Sequence, residues 1–171
     1  MREKKKQEYT ELTEEVIRLC KLKAMHLLEY SDRTEAQLKS KLEEGGFPPS
    51  AVSEAIDYVK SFHYIDDRRY AESYIRVNKE RKSRLQLKKI LSERGVSRQI
   101  IDDVMQDTEF DETDSIKRQF LKKYANADLT DPKTYEKAMR YFASKGYGYS
   151  DIKDAVTEAL EELNTEEEQT E

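Results

Sequence analysis

Three glycines, Gly46, Gly95 and Gly146, stand 49 and 51 residues apart with matching apolar flanks, and this repeat constrains the fold more than any other feature of the chain. Eight and four residues before them lie Leu38 and Leu42, Leu87 and Leu91, then Ala138 and Phe142; one residue after come Phe47, Val96 and Tyr147. An i, i+4 apolar pair, a glycine and an apolar residue form the pattern of a helix closed by a left-handed cap, because glycine has no Cβ to clash at positive φ. Each glycine is therefore assigned as the end of a helix.

A second helix follows each glycine, with apolar Val52, Ile56 and Val59, then Ile100 and Val104, then Ile152, Val156 and Leu160. Pro48-Pro49-Ser50, Ser97 and Ser150 offer caps or a preset first-turn φ for these helices. Thr34 with Gln37 has the pattern of a capping box, and Asp131-Pro132 reads as a cap followed by proline at the first helical position. A further helix precedes each pair, over 13–30, 66–82 and 111–126. In the first of these, Val16, Leu19, Cys20, Ala24, Leu27 and Leu28 share one apolar face.

The expected fold class is all-α: tandem repeats of three-helix bundles over 13–62, 63–108 and 109–163. Groups of this size bury too little surface to be stable alone, so they are expected to lean on one another in an elongated, curved array. Residues 1–12, with Lys4-Lys5-Lys6, read as a flexible N-terminal arm and 164–171 as an acidic disordered tail.

Composition agrees with thin repeated layers: of 171 residues, 39% are charged and 36% apolar, with five Gly, three Pro and no Trp. The longest apolar run is Tyr141-Phe142-Ala143, which excludes a membrane span or a secretory signal within this sequence. Cys20 alone cannot form an intramolecular disulfide, and with His26 and His63 it makes no Cys/His metal site, so a reducing, cytoplasmic setting without metal or other cofactor is expected.

The net charge of −5 hides a strong segregation. From Lys60 to Arg98 there are twelve basic residues against five acids, and the next eighteen residues hold seven acids and no base. Asp66-Asp67 opens a helix, where Asp66 is assigned as a cap and the dipole favours negative charge. Tyr70, Ala71, Tyr74, Ile75 and Val77 are placed on its inner side, and Arg68, Arg69, Arg76 and Lys79 on its outer side. With Arg81, Lys82, Arg84, Lys88, Lys89 and Arg94, these form a candidate basic face of the central repeat, suited to phosphates or to an acidic protein. The plainer reading, solvated helix faces of a charge-rich protein, stands beside it. Catalysis finds little support, because neither histidine is placed beside a nucleophile and the glycines build no phosphate-cradling loop; no enzyme activity is expected.

The stretch His63-Tyr64-Ile65-Asp66-Asp67-Arg68-Arg69-Tyr70-Ala71 resembles the signature of the RecX family, regulatory proteins that restrain the RecA recombinase. The flanking residues agree: Leu27-Leu28, the run from Ser31 to Leu38, Leu42 with Gly46-Phe47, and Leu91 with Arg94-Gly95-Val96. His63 and Ser83 depart from it, standing where the family often has glycine. The resemblance implies tandem three-helix repeats seated in the groove of a RecA filament on single-stranded DNA, where they inhibit or disassemble it and so modulate recombination, DNA repair and the SOS response. It implies a monomer with no membrane association, and the basic face as the RecA- or DNA-contacting surface, with weak direct DNA binding. Two alternatives stay open on the residues: a helical single-stranded nucleic-acid binder without a protein partner, and a protein-interaction scaffold.

Overall fold

A computed structural model describes residues 12–124, 127 and 131–168 of the chain. The described residues form nine helices and no strand: α1 (Glu14–Tyr30), α2 (Glu35–Glu44), α3 (Pro49–Ser61), α4 (Asp67–Asn78), α5 (Arg84–Glu93), α6 (Arg98–Asp107), α7 (Glu112–Tyr124), α8 (Pro132–Ser144) and α9 (Tyr149–Glu168). Residues 1–11, assigned to the N-terminal arm, lie outside the described residues.

Capping chemistry explains the helix boundaries. Thr13 accepts from the Val16 N–H, and Thr34 forms a complete capping box with Gln37. Asp131 accepts from the Lys133 N–H ahead of Pro132 at the first helical position. Gly46, Gly95 and Gly146 have φ of 87°, 84° and 84°, and the amide after each donates to a carbonyl of the preceding helix: Phe47 to Leu42, Val96 to Leu91 and Tyr147 to Phe142.

Two compact units divide the described residues, one within 12–73 with 91–104, the other within 74–90 with 105–168. In the first unit, Val16, Cys20 and Ala24 of α1 join Leu38 and Leu42 of α2 and Val52, Ile56 and Val59 of α3 in one apolar cluster. In the second, Ile116, Phe120 and Tyr124 of α7 meet Ala138 and Phe142 of α8 and Ile152, Val156 and Ala159 of α9. In each unit, side chains three and four apart bring one stripe of every helix inward.

Several boundaries differ from expectation for local reasons. Helix α4 stops at Asn78, not Lys82, because the Asn78 side-chain amide donates to the Tyr74 carbonyl at 2.8 Å while the Asn78 carbonyl takes the N–H groups of Arg81 and Lys82. Val77 is 66% exposed and does not join the inner side, since two helical residues turn it 200° away from buried Ile75. Ser150 lies inside α9; Gly148 precedes the helix and its carbonyl accepts the Ile152 N–H. Helix α9 continues to Glu168, past Asn164 where a disordered tail was expected, in keeping with the good helix propensity of glutamate; residues 169–171 lie outside the described residues. Helix α7 ends at Tyr124, and Asn126 also lies outside them.

Candidate functional site

The ten basic residues of the candidate face fall into both units, and their surroundings separate them into committed and available cations. Arg68, Arg69 and Arg94 belong to the first unit. The Arg68 guanidinium bonds Glu72 at 3.0 Å and lies 3.9 Å from Asp103. Arg69 donates its backbone N–H to Asp66, which thereby caps α4, and its guanidinium to the His63 carbonyl at 3.3 Å. Arg94 donates to the Tyr70 hydroxyl and lies over the Tyr70 ring, 5.9 Å from its centroid.

Arg76, Lys79, Arg81, Lys82, Arg84, Lys88 and Lys89 belong to the second unit. Lys79 donates to the Glu109 carbonyl at 3.1 Å. Arg84 lies 4.7 Å from the centroid of the Phe110 ring and 4.0 Å from the Glu112 carboxylate. Lys88 and Lys89 are exposed on α5, while Leu87 and Leu91 of the same helix are buried. Arg76 and Arg81 are exposed, Lys82 is half-buried, and none of the three has a side-chain partner among the described residues. A cation without an intramolecular carboxylate keeps its full charge for an anionic partner; one already paired must first break that contact.

A groove of about 560 Å³ in the second unit is lined by Lys79, Glu80, Arg84, Phe110, Asp111 and Arg118, among others. Arg118, absent from the candidate face, bridges Glu80 and Asp114 there. The pairing with Asp114, at 2.6 Å, is an i, i+4 contact legible in the sequence, whereas the one with Glu80 joins segments far apart in the chain.

The acids at the helix starts are absorbed in structure. While Asp66 caps α4, Asp67 accepts the backbone N–H of Glu35, at the first position of α2, at 2.9 Å. Burial holds the Asp67 carboxyl above its ordinary value, against the opposing pull of that hydrogen bond. Glu112 repeats the arrangement on the Arg84 N–H at 2.9 Å. The hydroxyl caps beside them also recur: Thr34 donates to the Arg94 carbonyl and Ser83 to the Lys145 carbonyl. Ser83 and Gln86 complete a second capping box that the sequence analysis missed, although Ser-x-x-Gln is its plain signal.

Cys20 is fully buried and its thiol is pushed up to about 11 by burial, which leaves it a poor nucleophile. His26 is exposed beside Glu29 and Tyr30, and the described residues contain no group of three His, Cys, Asp or Glu side chains placed to hold a metal. No helix among them is long and apolar enough to cross a membrane.

Compared with known proteins, residues 20–58, 66–105 and 111–156 match in order the first, second and third three-helix domains of RecX. The chain belongs to the RecX family. Among its curated relatives, the regulatory protein RecX of Clostridium tetani is 32% identical over 145 residues, covering 82% of this chain and 67% of that protein. The regulatory protein RecX of Clostridium botulinum (strain Alaska E43 / Type E3) is 30% identical over 145 residues, covering 82% and 68%. Among solved structures, RecX from Lactobacillus salivarius superposes with a TM-score of 0.71 at 21% identity, covering 86% of this chain and 98% of that one. A second structure of a regulatory protein RecX gives 0.68 at 23% identity, covering 86% and 81%. These structural likenesses carry the fold alone, the family models carry its division into three three-helix domains, and the sequence relatives carry membership of the regulatory family.

Proposed function

We propose that this RecX-family chain binds the RecA filament on single-stranded DNA in its helical groove and inhibits or disassembles it, acting as a monomer in the cytoplasm to modulate recombination, DNA repair and the SOS response. The observation that carries the reading is the match to all three RecX domains in order along one chain. The charges support it. Arg76, Arg81 and Lys82 offer three cations without side-chain partners among the described residues, at the end of α4 and in the turn before α5, and such groups suit phosphates or an acidic filament surface. Arg68, Arg69 and Arg94 already make contacts inside the first unit, with Glu72, the His63 carbonyl and the Tyr70 hydroxyl.

Binding of this kind needs positioning and charge, with no catalytic group. The test is RecA ATP hydrolysis on single-stranded DNA with and without the chain: a fall in rate is expected, and an unchanged rate at saturating protein refutes the reading. Tight, salt-sensitive binding to bare single-stranded DNA with no effect on RecA would mark the chain as a nucleic-acid binder without a RecA partner.

A further inference from the structure

In the first unit, beyond the basic residues, Met25, Leu28 and Glu29 of α1 and Tyr64 line an open cavity of about 300 Å³. Its aromatic wall is built rather than loose. Tyr64, half exposed, stacks on Phe62 with ring centroids 5.8 Å apart and planes 23° from parallel, and Phe62 in turn meets the Tyr58 ring edge-on at 5.0 Å. The backbone beneath is pinned by the Tyr64 N–H donating to the Val59 carbonyl and by the Arg69 guanidinium on the His63 carbonyl. His63, between Phe62 and Tyr64 in the sequence, takes φ of 56°, a left-handed conformation costly for a residue with a Cβ.

The cavity's charge is one-sided. Its described lining holds one carboxylate, Glu29, and no cation; Glu29 lies 3.5 Å from His26 Nδ1 and keeps 72% of its side chain exposed. The last turn of α1 carries no basic residue to offset the negative end of its dipole, although Arg33, beyond the helix, donates to the Leu27 carbonyl at 3.4 Å. An apolar floor, an aromatic wall and a carboxylate at the rim match a side chain with an aliphatic stem and a flat cationic head.

We infer that this cavity seats an arginine side chain of a protein partner. The stem covers Met25 and Leu28, the guanidinium plane lies on the Tyr64 ring, and its N–H groups donate to Glu29. A nucleobase could stack on the same ring, but the strand that carries it would bring phosphates toward the Glu29 carboxylate at the rim, so a protein side chain is the favoured occupant. Resting on the RecA reading, the arginine belongs to a filament subunit, and the first unit then grips protein through this cavity.

Two arms test this with the full chain. The first titrates N-acetyl-arginine methylamide and its norleucine counterpart, read by the Met25 methyl and Tyr64 ring resonances. The arginine compound should shift both signals and norleucine neither. The response should vanish in folded Glu29→Gln and Tyr64→Ala and persist in Tyr64→Phe; no response to arginine, or an equal one to norleucine, overturns the inference. The second arm measures affinity for RecA filaments and for bare single-stranded DNA. Filament affinity should fall on the order of tenfold in Glu29→Gln and Tyr64→Ala, with DNA binding unchanged. Unchanged filament affinity in both variants overturns the filament as the source of the arginine, and a loss of bare-DNA binding in Tyr64→Ala overturns the protein occupant in favour of a base. If the wild-type chain binds no RecA filament while the arginine titration succeeds, the RecA reading alone fails and the cavity assignment stands.

Discussion

The hydroxyl of Thr34 donates to the carbonyl of Arg94, sixty residues downstream, while the same oxygen accepts the Gln37 N–H at 3.1 Å. One side chain thus caps α2 and satisfies the carbonyl that precedes the left-handed Gly95. In the second unit Ser83 does the same, accepting from the Gln86 N–H and donating to the Lys145 carbonyl at 2.7 Å, one residue before Gly146. An acid completes each junction by taking the next free N–H of the capped helix, Asp67 on Glu35 and Glu112 on Arg84. Successive three-helix groups are therefore joined by directional hydrogen bonds that use up the unpaired donors of a helix start.

Thr34→Val removes both the cap and the long-range donor at a fully buried site, and should destabilise the chain by about 2–3 kcal/mol. Thr34→Ser, which keeps the hydroxyl, should recover most of that loss. Urea unfolding followed by circular dichroism compares the two; a loss in Thr34→Ser larger than that in Thr34→Val would mean that the methyl group, not the hydroxyl, holds the junction.

At Gly95, positive φ and a close approach coincide, because a Cβ built there would lie 2.2 Å from the Ala36 Cβ. Gly95→Ala should cost about 1–2 kcal/mol from the left-handed backbone alone, with the collision added to it. The double variant with Ala36→Gly removes the collision and leaves the backbone cost, so a double-mutant cycle on thermal unfolding should show positive rescue. Additive losses would show that the two positions do not meet.

Burial raises the Asp67 carboxyl above its ordinary value of 3.8, so the protonated form is the better fit to the folded state. Its contribution favours folding below 3.8 and is withdrawn as pH rises through the higher folded value. The stability of wild type relative to Asp67→Asn should therefore decline across that acidic window and then level off. Urea midpoints measured through the carboxylate range check this; a relative stability that increases with pH would contradict the direction.

Arg76, Arg81 and Lys82 have no side-chain partners among the described residues, so changing each to alanine should alter stability by no more than about 0.5 kcal/mol per site. If all three meet phosphates of single-stranded DNA, the slope of log affinity against log salt should become shallower by about 0.7 for each cation removed. Arg84→Ala makes the contrast, since it abandons the Phe110 ring and Glu112 and should lower stability as well. A triple variant that folds normally and binds with an unaltered salt slope would exclude these cations from the interface.

What the sequence determined by itself is local: helices, caps and the glycine ends. Spacing along one helix decides which side faces inward, and Thr34 with Gln37, or Asp131 with Pro132, carries its cap within a few residues. Even there, helix α4 ended early because the Asn78 side chain turned back on Tyr74, a competition between side chain and backbone that apolar spacing does not register. Only the tertiary structure decided which charges are available. Arg68 and Arg76 look alike in a helical projection, yet Asp103, thirty-five positions from Arg68, helps to engage the first, and no described side chain engages the second. Glu29 and Tyr64 likewise share a cavity although they lie on either side of α2 and α3 in the sequence. Helical periodicity reports the contacts of a residue with its own helix, whereas pairing and cavities depend on which distant segments the fold brings within a few ångströms.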